Sequence, residues 1–250
     1  MTGVKTARRE AGEGPTFGME QTTGDGEVTA CTRCPVGIAS GVAERGRCPF
    51  VARKRQAGAV LHVAGDAVER VWFIKSGAVL VTRSIDEEQA EGTPWAIRRS
   101  GSFLGLEGLV GAGHLESARA LTDVTLCGAP LEDVEDWVDA RRAASRVLLD
   151  AALRSGVRER PLRGNADGTA PQRTAAWLLS NASQRFSGTI PRRVMAGLLG
   201  MRPETLSRAL RTLAAQGAIR HGRRAVEVLD RAQLRSIARK GRAISRRRAD

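Results

Sequence analysis

The sequence predicts an α+β protein: a small antiparallel β-barrel or jelly roll, then a long helix, then a C-terminal winged helix-turn-helix. Three observations predict it. Residues from Arg53 to Pro130 fall into short alternating or β-branched runs between Gly-centred turns. From Leu131 the chain runs without glycine as far as Gly156, acidic early and basic late. Arg192–Leu213, RRVMAGLLGMRPETLSRALRTL, has the apolar spacing of two short helices joined by a tight turn.

The elements follow in order. Residues 1–28 are rich in Gly, Thr and Glu and lack periodicity, so residues 1–30 are expected to form a disordered tail. They contain no apolar core of a signal peptide. No run of about 18 apolar residues occurs anywhere, so no membrane span is predicted and a cytoplasmic location is expected. Residues 31–130 are read as a cysteine-bearing loop followed by the barrel. Its strands are expected at Val60–Gly65, Glu69–Arg83, Thr93–Gly101 and Ala120–Pro130, and the Gly-rich Ser100–Gly113 is expected to be a close-packed loop with a short helix. Residues 131–160 are read as one helix. Glu132, Asp133, Glu135 and Asp136 at its start and Arg154, Arg158 and Arg160 at its end suit the helix dipole. Val134, Trp137, Val138, Ser145, Leu148, Ala152 and Ser155 form its apolar stripe, which fits either a dimer coiled coil or packing on its own barrel. Pro161–Pro171 should break this helix and act as a hinge. Within residues 161–238, a helix is expected at Gln172–Phe186 and a β-ribbon wing at Gly217–Leu229. Residues 239–250 are read as a mobile basic tail.

The helix-turn-helix carries the most information. Val194, Leu198 and Leu199 give the first helix an apolar face, and Ala196 permits close crossing. Gly200 falls where the turn needs positive φ. Pro203 suits the first turn of the second helix, where its missing N–H has no intrahelical partner. Leu206 and Leu210 face inward, while Glu204, Ser207, Arg208 and Arg211 share one outward face. Charge supports a nucleic-acid partner. Residues 171–250 hold 18 Arg/Lys against 4 Asp/Glu, whereas residues 1–170 hold 22 against 23. The basic excess thus belongs wholly to the C-terminal third. No basic amphipathic helix carrying Trp or Phe suggests a membrane surface instead.

Four cysteines occur: Cys31 and Cys34 as a C-x2-C pair, Cys48 after 13 residues, and Cys127 at the end of an expected strand. In a reducing compartment, soft thiolates at this spacing suit zinc or an iron–sulfur cluster. An enzyme is not indicated. The chain has three histidines (His62, His114 and His221), no phosphate-binding loop and no nucleophile–base constellation.

From Cys31 to about Ala238 the chain resembles the Crp/Fnr family of bacterial transcription regulators, most of all its oxygen-responsive Fnr branch. PETLSR (Pro203–Arg208) resembles the Fnr-type recognition signature. IKSGAV (Ile74–Val79) resembles the strand-turn-strand of the cyclic-nucleotide-binding-like barrel, and Gly101–Pro130 resembles its phosphate-binding segment. The resemblance implies a homodimer joined through the long helix. It also implies a 4Fe-4S cluster on Cys31, Cys34, Cys48 and Cys127, responsive to oxygen, nitric oxide or redox state. On double-stranded DNA it implies a palindromic TTGA-type site. Glu204 and Arg208 would meet the bases, Ser207 a base or a phosphate, and Arg192, Arg193, Arg211, Arg220, His221, Arg223 and Arg224 would meet phosphates. RNA polymerase is an expected further partner, and Asp86-Glu87-Glu88 is either a solvated turn, the favoured reading, or a contact for it. Two departures stand out. The 13-residue gap before Cys48 is long for the branch. Gly105-Leu106 and His114-Leu115 replace the Gly-Glu and Arg-Ser that hold a cyclic nucleotide, so none is expected to bind. A zinc or thiol switch, or a barrel sensing another small ligand, are the alternatives on the same fold.

Overall fold

The computed structural model describes residues 31–44, 46–83, 92–164, 168–181, 186–187, 190–222 and 225–246. The expected N-terminal tail, the acidic loop at Asp86–Glu88 and the wing residues Arg223 and Arg224 lie outside the described residues.

The cysteine segment opens with a short helix, α1 (Pro35–Ala39), and a 3-10 turn (Val42–Glu44). Eight strands follow: β1 (Val51–Arg55), β2 (Val60–His62), β3 (Arg70–Ser76), β4 (Ala78–Arg83), β5 (Thr93–Arg99), β6 (Phe103–Leu104), β7 (Ser117–Ala120) and β8 (Val124–Pro130). They form two four-stranded antiparallel sheets, ordered β1-β8-β3-β6 and β2-β7-β4-β5, a jelly-roll arrangement. Alternation places Ile74, Val79, Val81 and Leu126 between the sheets, each essentially sealed from solvent. Gly77, at φ +88, turns β3 into β4, and a Cβ there would overlap the Asp123 carbonyl. Both backbone angle and space therefore demand the glycine of the IKSGAV motif. The expected short helix in the Gly-rich segment is a 3-10 helix at Leu106–Val110.

The long helix departs from expectation. It is two helices, α2 (Leu131–Ala140) and α3 (Arg142–Gly164), separated at Arg141, which is extended at φ -141 and ψ 108. The break shifts the phase of the buried face. Val134 and Trp137 are buried before it, and Ala144, Leu148 and Ala151 after it. Ser145 and Ala152, expected in the stripe, are exposed. The helix also continues past Pro161 to Gly164, so the hinge begins later than the proline suggests. A proline costs a helix one hydrogen bond and a steric clash, which a long helix can absorb as a kink.

The C-terminal domain comprises α4 (Ala170–Asn181), β9 (Phe186–Ser187), α5 (Arg192–Leu198), α6 (Pro203–Ala215), β10 (Ile219–His221), β11 (Ala225–Val228) and α7 (Arg231–Arg246). The three strands form one small sheet in the order β10-β11-β9, so the wing has a third strand that the sequence did not suggest. Residues 239–246, expected in a mobile tail, are the end of α7. Leu234, with no exposed surface, ties α7 to the domain core, with Ile237 and Ala238 packed beside it. The domain leans on the barrel through α5. A Cβ on Gly197 would stand 2.7 Å from Pro94 Cγ of β5, and Leu80 and Ile97 pack against the same core.

Candidate functional site

The DNA-facing element takes the expected form. Gly200 adopts φ +57 in the turn, and the Met201 N–H donates to the Ala196 carbonyl at 3.0 Å. Pro203 occupies the first turn of α6 behind the extended Arg202. Leu206, Leu210 and Leu213 have no exposed surface, whereas Glu204, Arg208 and Arg211 are exposed and Ser207 is half-buried. The outward face thus presents a carboxylate, a hydroxyl and two guanidinium groups within about two turns. Arg193 at the start of α5 is also exposed. Two of the expected phosphate contacts also bond partners on the protein surface. Arg192 Nη2 donates to the Gly222 carbonyl at 2.8 Å and braces the wing, and Arg220 pairs with Glu227 at 3.0 Å.

The four cysteines converge on the outer face of the β1-β8-β3-β6 sheet. Cys34 caps α1, its N–H donating to the Cys31 carbonyl at 3.1 Å, and its own carbonyl accepts from the Ile38 N–H at 2.8 Å. A Cβ on Gly37 would overlap the Cys31 carbonyl, so this turn closes only over glycine. Gly37→Ala is expected to open the Cys31–Cys34 turn, which faster alkylation of both thiols would register. Cys48 lies just before β1, and Cys127 in β8 is registered between Ala52 and Phe73. Cys34, Cys48 and Cys127 share one buried cluster with Val36, Ala39, Phe50, Phe73 and Trp137. Burial pushes the Cys127 thiol up to about 12, against the pull of Lys75, and burial also raises Cys48. Lys75 Nζ stands 3.8 Å from Cys31 Sγ. Burial opposes its charge, but Cys127, Cys31 and Cys34 together hold its pKa above the ordinary value. The Trp137 indole N–H is buried without a hydrogen-bond partner among the described residues. The donor set is therefore four soft thiols beside one ammonium, with a free N–H in the same cluster. Among the described residues no three His, Cys, Asp or Glu side chains form a group that could hold a single metal ion.

This site is joined to the helix after the barrel. Val36 and Ala39 of α1 share their buried cluster with Ala144, Leu148 and Ala151 of α3. Arg141, the residue at the helix break, lies over Gly41, its Nη1 2.9 Å from where a Cβ would sit. On another face of α3, Leu149 and Leu153 are both 61% exposed, one turn apart.

A cavity of about 300 Å³ lies between the barrel and α3, lined by His62, Arg98, Phe103, Glu107, Glu116 and Ala151 among others. Glu116 is paired with Arg83 at 2.7 Å and Arg98 at 3.6 Å, so the lining guanidinium already faces a carboxylate. The rings of His62 and His114 stack 3.7 Å apart, and Glu107 Oε1 meets His114 Nδ1 at 3.0 Å. Burial and the neighbouring His114 lower His62 to about 4. The unfolded chain takes up this proton near pH 6.5 and the folded chain only near pH 4. The unfolded state thus binds more protons in that window, so stability falls on acidification, by roughly 2 kcal/mol at about pH 5. Urea unfolding of His62→Gln should show a shallower decline between those two values.

Residues 52–141 match the cyclic nucleotide-binding domain family, and residues 172–237 match the Crp-like helix-turn-helix domain family. The chain is 27% identical over 202 residues to the transcriptional activator protein Anr of Pseudomonas protegens, covering 74% of this chain and 80% of that one. It is 24% identical over 191 residues to the transcriptional regulatory protein btr of Bordetella pertussis, covering 72% and 78%. Among solved structures, FixK2 from Bradyrhizobium japonicum superposes with a TM-score of 0.64 at 23% identity, covering 75% of this chain and 96% of that one. No described helix is long and apolar enough to cross a membrane.

Proposed function

Because the chain is a DNA-binding transcription regulator of the Crp/Fnr family, we propose that it is a homodimer whose grip on DNA is set by a 4Fe-4S cluster on Cys31, Cys34, Cys48 and Cys127. The observation that carries this reading is the shared packing of the cysteine segment and α3. Val36 and Ala39, two to five residues after Cys34, cover the inner face of the helix at Ala144, Leu148 and Ala151. Order in the cysteine segment therefore controls what covers α3.

Four thiols at one buried face, with Lys75 offering a positive charge, suit an anionic cluster. Bound there, the cluster supplies a centre that oxygen or nitric oxide degrades. The chain's own residues do the rest. Gly37 closes the Cys31–Cys34 turn, Trp137 and Phe50 seal it, and α3 turns Leu149 and Leu153 toward a second copy. Freeing the segment would uncover Ala144 and Leu148 and shift the population away from the aligned dimer. A shift of a few kcal/mol is enough to reverse such a balance.

At the output end, two-fold symmetry would set two α6 helices in successive major grooves of an inverted TTGA/TCAA site. Arg208 is placed to donate to guanine and Glu204 to accept from cytosine N4. The paired Arg98 and the carboxylates in the barrel cavity support a site that holds no cyclic nucleotide. Anaerobic isolation is the test. Visible absorption that bleaches in air, with matching iron and sulfide, is the expected result. A colourless protein with stoichiometric zinc would favour the zinc switch and overturn the cluster.

A further inference from the structure

The C-terminal helix α7 carries charge that the domain does not use. Residues 231–246 contain six basic residues and no acidic one. Arg231, Arg235 and Arg239 recur every four residues and are all exposed, so they form one stripe along the helix. Like charges four apart repel one another, and Arg231 also sits at the positive end of the helix dipole. Both costs are retained without internal relief. The described carboxylates of the domain are committed elsewhere. Asp230 Oδ1 accepts from the Ala232 and Gln233 N–H groups at 2.7 and 2.9 Å, Glu227 pairs with Arg220, and Glu204 belongs to the outward face of α6. None of the three arginines forms an ion pair among the described residues.

The stripe is fixed to the reading domain, because α7 packs along α4. Leu234 is fully buried in the domain core, and Gln233 Nε2 donates to the Gln216 carbonyl at the C-terminal end of α6. α7 therefore begins near the C-terminal end of α6, and Arg231 to Arg239 span about 12 Å along its axis. A fixed row of guanidinium groups, unpaired and about one helical turn apart, matches the phosphates of a nucleic-acid backbone rather than base edges.

We propose that α7 is a second DNA-contacting element, gripping through Arg231, Arg235 and Arg239 the phosphate backbone of duplex flanking the bases read by α6. This rests on α6 being the DNA reader. It adds affinity without sequence preference, and it makes the flank part of the binding site.

Fluorescence anisotropy would compare the full chain with the triple variant R231Q/R235Q/R239Q, since glutamine keeps the helix propensity and removes the charge. The probes are an inverted TTGA/TCAA duplex of about 20 base pairs and the same site lengthened by about 10 on each side. The longer duplex should tighten binding several-fold for the wild type and not for the variant. The slope of log K against log salt should flatten by about 2 or more, since each phosphate contact contributes about 0.9. Equal slopes and equal length dependence in the two proteins would overturn the proposal. So would unchanged DNA binding with lost binding to phosphatidylserine vesicles, which would assign the stripe to a membrane surface. Wild type that binds neither duplex would remove the reading of α6 itself, and the proposal with it.

Discussion

Arg208→Ala is expected to weaken binding to a TTGA-type site by about 1–3 kcal/mol, a loss of roughly 5- to 150-fold, and to leave binding to random duplex nearly unchanged. The asymmetry follows from where the side chain stands. Arg208 is exposed in the second turn of α6, on the face opposite the fully buried Leu206 and Leu210. Its side chain is exposed and forms no ion pair among the described residues, so stability should hold. A planar guanidinium can make two parallel bonds to guanine O6 and N7, which alanine and even lysine cannot reproduce. Arg211 is the natural contrast. Its loss should weaken specific and random DNA alike, because a phosphate contact positions without specifying. Anisotropy titrations of both variants on both duplexes check this. Equal losses on both duplexes for Arg208→Ala would show that it reads no base.

Trp137→Ala is expected to destabilise the protein by about 3–5 kcal/mol, the usual cost of emptying a large aromatic site. The residue is 6% exposed and meets Phe50 edge-on at a ring distance of 5.5 Å. Phe50 in turn packs on Phe103, and Phe103 on Phe73. Trp137 thus sits where the cysteine segment, the first sheet and α2 meet. The void would fall beside Cys48 and Cys127, so the variant should also lose order in the cysteine segment. Chemical unfolding measures the first effect. Alkylation of Cys127 measures the second, since burial and a raised pKa keep that thiol slow to react in the wild type. An unchanged alkylation rate with lowered stability would show that Trp137 supports the barrel alone. Trp137→Phe should recover most of the stability, because it restores volume and removes the unpartnered N–H.

Much of the fold is written locally in the chain. The α5–turn–α6 unit was legible because each of its features is a short-range one: Ala196 at the crossing, Gly200 at positive φ, Pro203 in a first turn, and Leu206 and Leu210 at helical spacing. The strands around IKSGAV were legible for the same reason, whereas β1 and β7 were not picked out, because Val51–Arg55 and Ser117–Ala120 are too charged or too small to show alternation clearly. The cysteine spacing carries the proposal of a soft-metal site, but the shared packing of Cys34, Cys48 and Cys127 was not readable from it. Sequence shows the charge of Arg192 and Arg220 but not the Gly222 carbonyl and Glu227 that they bond.

What the sequence determined by itself is the kind of most elements and the division between a near-neutral N-terminal part and a basic C-terminal third that carries the helix-turn-helix. Tertiary structure alone decided how these are connected. The stripe of the long helix could not be extrapolated across Arg141, because one extended residue rotates everything after it. The covering of α3 by α1, the seating of Gly197 on Pro94 and the docking of α7 through Leu234 each join residues distant in the chain. Periodicity records which residues prefer to be buried, but the surface that buries them is chosen by long-range packing, and that choice is what links the cysteine segment to α3.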